Sequence, residues 1–422
     1  NILRNPAIIS SYILLAAITA LFAGSYPALY LSSFQPVKVL KGKLRGGSRS
    51  GNFRKILVIV QFSISIGLIV SSIIVNKQLN YIKNKDLGYD KENLVGVWRR
   101  GEINERYQLF KERLLASPHI EKVSSISNPI TYAGPSLTIN NWDGNAGERT
   151  IRMHYHSVDY DIIETLGVKM LEGRSFTHKF NDDSSTVFLI NETAVKKMGF
   201  KHPVGKTMTL GNETGRIVGV FKDFNYNTIH HKINPLTLVL DNSACRGTYI
   251  RVKPGETKEG LAYIEKVWKQ IETNHPFDFI FMDQLLESLY RQEQQVAKLF
   301  KYFTILAILI SCLGLFGLTS FMTEQRQKEI GIRKVLGSKI GTLILLLTKE
   351  FTKWVFIAGI IGLPLGYLAM NRWLQGFHYR IDPSILSFLL AFVAALVIAA
   401  LTVSIQTYRA SIKNPVDTLR DE

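Results

Sequence analysis

Five uncharged apolar runs interrupt the chain: residues 7–37, with their core over 12–31, then 56–76, 302–323, 354–371 and 383–408. A helix needs about 20 such residues to cross the hydrocarbon of a bilayer. One such run reads equally well as a buried core helix. Five of them, flanked by Lys or Arg, predict five transmembrane helices, of which 354–371 is the shortest. Trp354, Trp373 and Tyr408 stand near run ends, where interfacial aromatics anchor spans. Between the second and third runs the pattern changes. Residues 107–116 carry helical spacing, 187–190 and 216–221 read as short strands, and 260–271 is an amphipathic helix. Residues 191–198 read as a helix leaving a strand, with Asn191 as its cap. The fold class is therefore an α-helical membrane protein with five spans and one inserted α+β domain.

The borders of the insertion carry their own pattern. The second run continues through Lys77–Lys83, and the third is preceded by a helical stretch over 285–300. Leu79 and Ile82 on one side, and Leu285, Leu289, Val296 and Leu299 on the other, offer apolar faces at helical spacing. They predict a two-helix stalk that carries the inserted domain clear of the membrane.

The formal charge of +17 raises the question of a nucleic-acid face, and its location answers it. Residues 77–301 hold 31 Lys and Arg against 27 Asp and Glu; the rest of the chain holds 20 against 7. The excess thus lies beside the apolar runs, as a topology signal does, and no nucleic-acid partner is implied. The segments after the first, third and fifth runs are basic: Lys38 to Lys55, Arg326 to Lys353, and Arg409 to Arg420. With five spans and 78–300 outside, all three fall on one side, taken as cytoplasmic. This places Asn1 outside and predicts a missing upstream portion. The tails of the first and fifth runs also align without gaps: Leu29–Lys41 and Tyr408–Arg420 share Ser32/Ser411, Pro36/Pro415, Val37/Val416 and Leu40/Leu419. We read them as ends of two repeats. The division is 1–35, a last span of a first half; 36–54, a basic linker; 55–77, a span; 78–300, the external domain with its stalk; and 301–422, three spans with a cytoplasmic loop at 324–350.

Chemistry is sparse. The sequence contains no G-x-x-x-x-G-K-[ST], H-E-x-x-H or G-x-S-x-G, and no carboxylate pair stands out for acid–base work. No catalytic residue and no metal ligand set is nominated: His154 and His156 flank Tyr155 on a strand, and His230 and His231 share a loop, all read as surface polar groups. Cys245 and Cys312 are expected on different sides of a membrane boundary and unpaired. The runs hold no buried charge of the kind an ion-coupled carrier uses.

The loop after the third run reads Arg326-Gln-Lys-Glu-Ile-Gly-Ile-Arg-Lys-Val-Leu-Gly-Ser-Lys339. It resembles the K-E-I-G-I-R-[KR]-x-[LV]-G-A signature of FtsX/MacB-type ABC-transporter permeases, departing from it at Ser338. Cys312–Phe321, Asn414–Arg420, Val218-Gly-Val-Phe-Lys-Asp-Phe-Asn225 and Leu189–Ala194 are similar to other segments of that family. The resemblance covers essentially the whole chain, and the layout looks like that of the long, duplicated permeases of Bacteroidetes type. It implies an inner-membrane, multi-pass subunit with an FtsX-like three-helix domain and a MacB-like periplasmic domain. It also implies a cytoplasmic ABC ATPase as partner, ATP held there rather than on this chain, and a periplasmic adaptor or hydrolase as a further partner. Lys328, Glu329, Ile330, Gly331, Ile332, Arg333, Lys334, Val335, Leu336 and Gly337 become the expected ATPase-coupling segment. The implied role is mechanotransmission to periplasmic work such as export of a peptide, antibiotic or lipoprotein. The alternatives are a non-transporting transducer acting on a cell-wall hydrolase, and an antimicrobial-peptide sensor.

Overall fold

The computed structural model describes residues 6–32, 48–145, 147–178, 186–226, 232–325, 332–333, 336, 338 and 340–412. The chain divides into two units, Asn1–Ile59 and Val60–Glu422. The first holds helix α1 (Pro6–Ser32), 27 residues along the first apolar run, and the opening turns of α2 (Ser48–Asn84). Large apolar side chains along α1, such as Tyr12, Leu14 and Leu21, are exposed.

In the second unit, α2 continues to Asn84. The external domain follows in chain order: β1 (Leu94–Trp98), α3 (Gly101–Glu105), α4 (Tyr107–Leu115), β2 (Ile120–Ile126), β3 (Ser136–Ile139), β4 (Ile151–Val158), α5 (Ile162–Leu166), β5 (Met170–Gly173), β6 (Val187–Asn191), α6 (Glu192–Met198), β7 (Thr207–Leu210), β8 (Glu213–Phe221), β9 (Leu236–Leu240), β10 (Gly247–Val252), α7 (Thr257–Ile271), β11 (Phe279–Phe281) and α8 (Met282–Leu289). Among the described residues three long helices follow: α9 (Arg291–Gln325), α10 (Ile340–Leu374) and α11 (Ile385–Ile412).

Among the described residues four helices are long and apolar enough to cross a membrane: Phe53–Asn84, Arg291–Gln325, Ile344–Leu374 and Ile385–Arg409. The fourth expected span is longer than its uncharged run. α10 starts at Ile340, inside the expected loop 324–350, and absorbs Lys349, Glu350 and Lys353. An uninterrupted-apolar criterion cuts a helix where a few charges sit on its turns, although those turns remain helical. α2, α9 and α10 approach closely through small residues. Ser63 Oγ donates to the Ala358 carbonyl (3.2 Å), Ser65 and Ser311 hydroxyls meet at 3.0 Å, and a Cβ on Gly362 would lie 2.5 Å from the Ser63 carbonyl oxygen. Rows such as Leu306, Leu313, Leu365, Leu368, Leu389 and Leu401 are exposed, as side chains facing lipid are.

The external domain is one sheet in connectivity, ordered β11-β1-β10-β2-β4-β9-β6-β8-β5, with β3 on β4 and β7 on β8. Among the described strands only β4/β9 and β6/β8 run parallel. The sheet is nearly severed in the middle: β2 and β4 share a single residue pair, Ile126 with Val158. Two backbone bonds flank it, Asp159 N–H to Ser125 O (2.9 Å) and Ser127 N–H to Ser157 O (2.8 Å). Each half has its own core. Val95, Phe110, Val123, Ile250 and Trp268 fill the first beneath α4 and α7. Trp142, Met153, Phe188, Met198 and Ile217 fill the second beside α6. A third core at the stalk end gathers Tyr89, Ile126, Val158, Phe221, Phe224, Tyr249 and Met282.

Candidate transmission site at the stalk

The expected stalk residues separate into two groups. Leu79 and Ile82, on the last turns of α2, are buried in one core with Ile74, Tyr290, Ala297, Met370 and Leu374, and Leu289 packs against it. Leu285 and its neighbour Leu286 instead pack on the third core of the external domain. The reason is a break in the helix: Tyr290 ends α8 and α9 begins at Arg291. The apolar row read as continuous over 285–299 is therefore split, Val296 is only half-buried, and Leu299 is 54% exposed. Tyr290 and Ala297, seven residues apart and hence on one helical face, hold the seam in their place. A Lys83–Glu287 ion pair at 3.8 Å crosses it on the surface, where such pairs contribute little. Beside it, Leu79, Ile82, Leu87, Leu286, Tyr290 and Gln294 line a cavity of about 220 Å³.

Where the stalk enters the domain, the Val218–Asn225 motif meets it. The Asn225 amide donates to the Leu87 carbonyl (2.7 Å). Gly88, at φ +80°, lies so close that a Cβ would stand 2.6 Å from the Asp223 carbonyl oxygen, so this entry point requires glycine on both counts. The Asp223 carboxylate accepts from Thr193 N–H (3.0 Å), Thr193 Oγ1 (2.6 Å) and Asn191 Nδ2 (2.8 Å). Asn191 is the helix cap read from the sequence: its Oδ1 accepts from Ala194 N–H at 2.9 Å and also from Leu236 N–H at 2.9 Å. The Tyr226 hydroxyl bridges Asn234, donating to its carbonyl (3.0 Å) and accepting from its amide (2.9 Å). Burial of Tyr226 first, with Asp223 and Tyr379 adding, pushes its phenol up to about 12. One polar node thus ties the stalk exit, α6 and β9 together.

Of the expected coupling segment, Lys328, Glu329, Ile330, Gly331, Lys334, Val335 and Gly337 lie outside the described residues, as do His230 and His231. Ile332 and Leu336 are exposed, Arg333 is half-buried, and the Leu336 amide donates to the Ile332 carbonyl (3.0 Å), one turn of helix.

One expectation for a titratable group changes. His156 is not a surface residue: it is 1% exposed in β4, and burial first, with His154 adding, pushes its imidazole down to about 4. Cys245 is buried, and burial raises its thiol to about 12, so the group is an inert core filler; both cysteines are unpaired.

Comparison with known proteins places these features in context. Residues 57–263 match the family described as MacB-like periplasmic core domain, and residues 302–415 the family described as FtsX-like permease C-terminal. The macrolide export ATP-binding/permease protein MacB of Chromobacterium violaceum is 21% identical over 361 residues, 82% of this chain and 52% of that protein. MacB of Escherichia coli strain K12 is 21% identical over 393 residues, 88% of this chain and 59% of that protein. The chain therefore spans little more than half the length of these curated relatives. Among solved structures, the periplasmic region of MacB from Actinobacillus actinomycetemcomitans aligns with 49% of this chain and 97% of its own, at 14% identity and a TM-score of 0.35.

Proposed function

The chain belongs to the FtsX/MacB-like ABC-transporter permeases, and from that premise we propose that it transmits movement rather than forming a substrate channel. A cytoplasmic ABC ATPase, separate from this chain, binds and hydrolyses ATP. It docks on residues 328–337, whose apolar positions Ile332, Val335 and Leu336 and basic positions Lys328, Arg333 and Lys334 suit a helix seated in a groove. The spans lie in the inner membrane and the domain of residues 78–300 lies in the periplasm. The work done there is export of a peptide, antibiotic or lipoprotein, in keeping with relatives named for macrolide export. The observation that carries this reading is the stalk. Residues Ile74 to Ile82 of α2 pack continuously against α9 and α10 and then join the domain through Leu87 and Gly88, so a displacement of the spans has a packed route outward.

Purification of the full-length protein from its native membrane in mild detergent, followed by mass spectrometry, tests the assignment. A stoichiometric ABC ATPase is expected, and a periplasmic adaptor or a hydrolase beside it decides between export and regulation. Absence of any ATPase from intact protein overturns the reading. With that ATPase in hand, Glu329→Arg and Gly337→Pro should each abolish stimulation of ATP hydrolysis while the external domain keeps its circular dichroism. Normal stimulation in both variants would remove the docking role from residues 328–337.

A further inference from the structure

Four helix ends meet at one level on the side of the external domain. The uncharged runs stop at Asn76 in α2 and Asn371 in α10, and begin at Tyr302 in α9 and Pro383 just before α11. Contacts join these ends directly. Gln78 Nε2 donates to the Tyr379 carbonyl and its Oε1 accepts from the Ile381 amide, both at 2.9 Å. Leu79, Ala297, Leu374 and Phe377 share one core. An uncharged run ends where hydrocarbon gives way to headgroups, so the residues just past these ends stand at headgroup depth. Tyr81, Tyr302 and Trp373 lie there, with Tyr302 67% exposed, as interfacial aromatics do.

The charge at this level is one-sided. Residues 77–86 and 371–387 hold five Lys and Arg against two Asp, with His378 in addition. Basic segments at the other ends of these helices already supply the topology signal, so topology does not account for the cations here. Carboxylates do not answer them either. Lys83 meets Glu287 at 3.8 Å, but among the described residues none of Lys77, Lys85, Arg372, His378 and Arg380 forms an ion pair. The Asp86 carboxylate accepts from the Gly88 amide (2.8 Å), and Asp382 is exposed.

Two of these cations are held in place by groups that cannot neutralise them. Lys77 Nζ donates to Ser387 Oγ at 2.9 Å and to Ser384 Oγ at 3.4 Å, and the two hydroxyls stand 3.0 Å apart. One hydroxyl hydrogen lies between the serines. The other, and the third ammonium hydrogen, have no acceptor among the described residues. The Lys85 ammonium lies 2.9 Å from the centroid of the Tyr379 ring, between His378 and Arg380 in the chain. The unanswered field is felt at His378: burial first, then Lys232, Lys85 and Arg380, lowers its imidazole below the ordinary value. Donors and positive charge at headgroup depth, ringed by aromatics, call for an anion with oxygen acceptors that is itself anchored at that depth. A phospholipid phosphate is such a group.

We propose that Lys77, Ser384 and Ser387 bind the phosphate of an anionic phospholipid in the leaflet on the domain side, and that the field of Lys85, His378 and Arg380 selects a headgroup of net negative charge over a zwitterionic one. The site needs only that the four helices span a membrane; it stands apart from the transmission reading above.

Native mass spectrometry of the full chain, delipidated in mild detergent and titrated with dioleoylphosphatidylglycerol or dioleoylphosphatidylcholine, tests the site. The two lipids share their acyl chains and phosphate and differ in net charge. The parent protein should bind phosphatidylglycerol about tenfold or more tightly than phosphatidylcholine. Lys77→Gln should weaken phosphatidylglycerol about fivefold, the worth of one cation at a membrane surface. Lys85→Gln with Arg380→Gln should narrow the preference between the lipids to under about threefold. Lys206→Gln, an exposed cation of the external domain, should change neither lipid. Equal binding of the two lipids by the parent overturns the site. Undiminished phosphatidylglycerol binding in Lys77→Gln overturns it too, as does an equal loss in Lys206→Gln, which would mean that only overall charge matters. Should Lys77→Gln melt early, Ser384→Ala repeats the test on an exposed side chain, with a loss of about twofold expected and no loss refuting the phosphate contact. Inorganic phosphate in large excess should not displace the lipid; displacement would make this a site for free anions and overturn the lipid assignment. Failure of an ATPase to co-purify leaves these ratios untouched, so the two readings fail separately.

Discussion

Asp159→Asn probes the place where the sheet is nearly severed. Asp159 directly follows β4, and its carboxylate accepts from Lys111 Nζ at 2.8 Å and from the Tyr107 hydroxyl at 2.7 Å, both from α4. α4 belongs to the half built on β1, β10 and β2, so the pair staples the two halves across the Ile126–Val158 bridge. Both charged side chains are only 5% exposed. Burial first, then Asp159, holds the Tyr107 phenol well above its ordinary range, so that hydroxyl stays a donor. Asparagine keeps the one oxygen that both donors share but removes its charge, which leaves a buried ammonium uncompensated, and breaking such a pair costs about 3–5 kcal/mol. For a domain of this size that corresponds to a fall of roughly 6–20 °C in midpoint. Thermal unfolding of the full chain in detergent, followed by tryptophan fluorescence, reads it. Lys111→Met should cost a similar amount, and the double variant should fall short of the sum by about 2 kcal/mol, because neither charge is then stranded. A shift under about 2 °C for Asp159→Asn, or strict additivity, would refute the staple.

Two further outcomes follow from geometry and burial. Gly362→Leu places a Cβ 2.5 Å from the Ser63 carbonyl oxygen, so α10 must move away from α2 and weaken the Ser63–Ala358 bond; overpacking of this kind costs about 1–3 kcal/mol. Gly317→Leu, where a Cβ meets nothing within 4 Å, should be near neutral in the same melt, and equal effects at both positions would sink the argument. His156 titrates near 4 in the folded protein and near 6.5 unfolded, so between those values the unfolded chain binds more protons and stability falls as pH falls. The loss should reach about 2 kcal/mol at pH 5 and about 3 kcal/mol at pH 4 relative to pH 7.5. His156→Leu should flatten that part of the pH profile of the melting midpoint, and an unaltered profile would rule the imidazole out as its source.

Some of this architecture was legible in the residues because its causes are local. Uncharged length marks a span, and the helix of residues 107–116 and the Asn191 cap follow from spacing and side-chain chemistry within a few positions. The stalk was legible in kind but not in register. Nothing local announces that Tyr290 breaks the helix and turns Leu285 onto the domain, so Ala297 took the place expected of Val296 and Leu299. α10 was read short because Lys349 and Lys353 count against an apolar run even where they ride on its turns. His156 was misplaced because a polar residue on an alternating strand looks solvent-facing until a second element covers it. Gln78 did leave a signal: a lone amide in the row Ile74, Gln78, Ile82 needs partners, and only the distant loop at residues 375–384 supplies them. The strand order, with β2 beside β10 and β9 beside β4, rests on contacts between residues far apart in the chain and was invisible to pattern alone.

The single Ile126–Val158 pair has a mechanical meaning. A continuous sheet resists bending along its whole width, since every rung must shear together. Here the neck between the two plates is two backbone bonds wide. Torque applied to one plate reaches the other as rotation about that neck, restrained chiefly by the third core beneath it and the Lys111–Asp159 staple beside it. The axis of such a rotation passes through a residue pair that can be named.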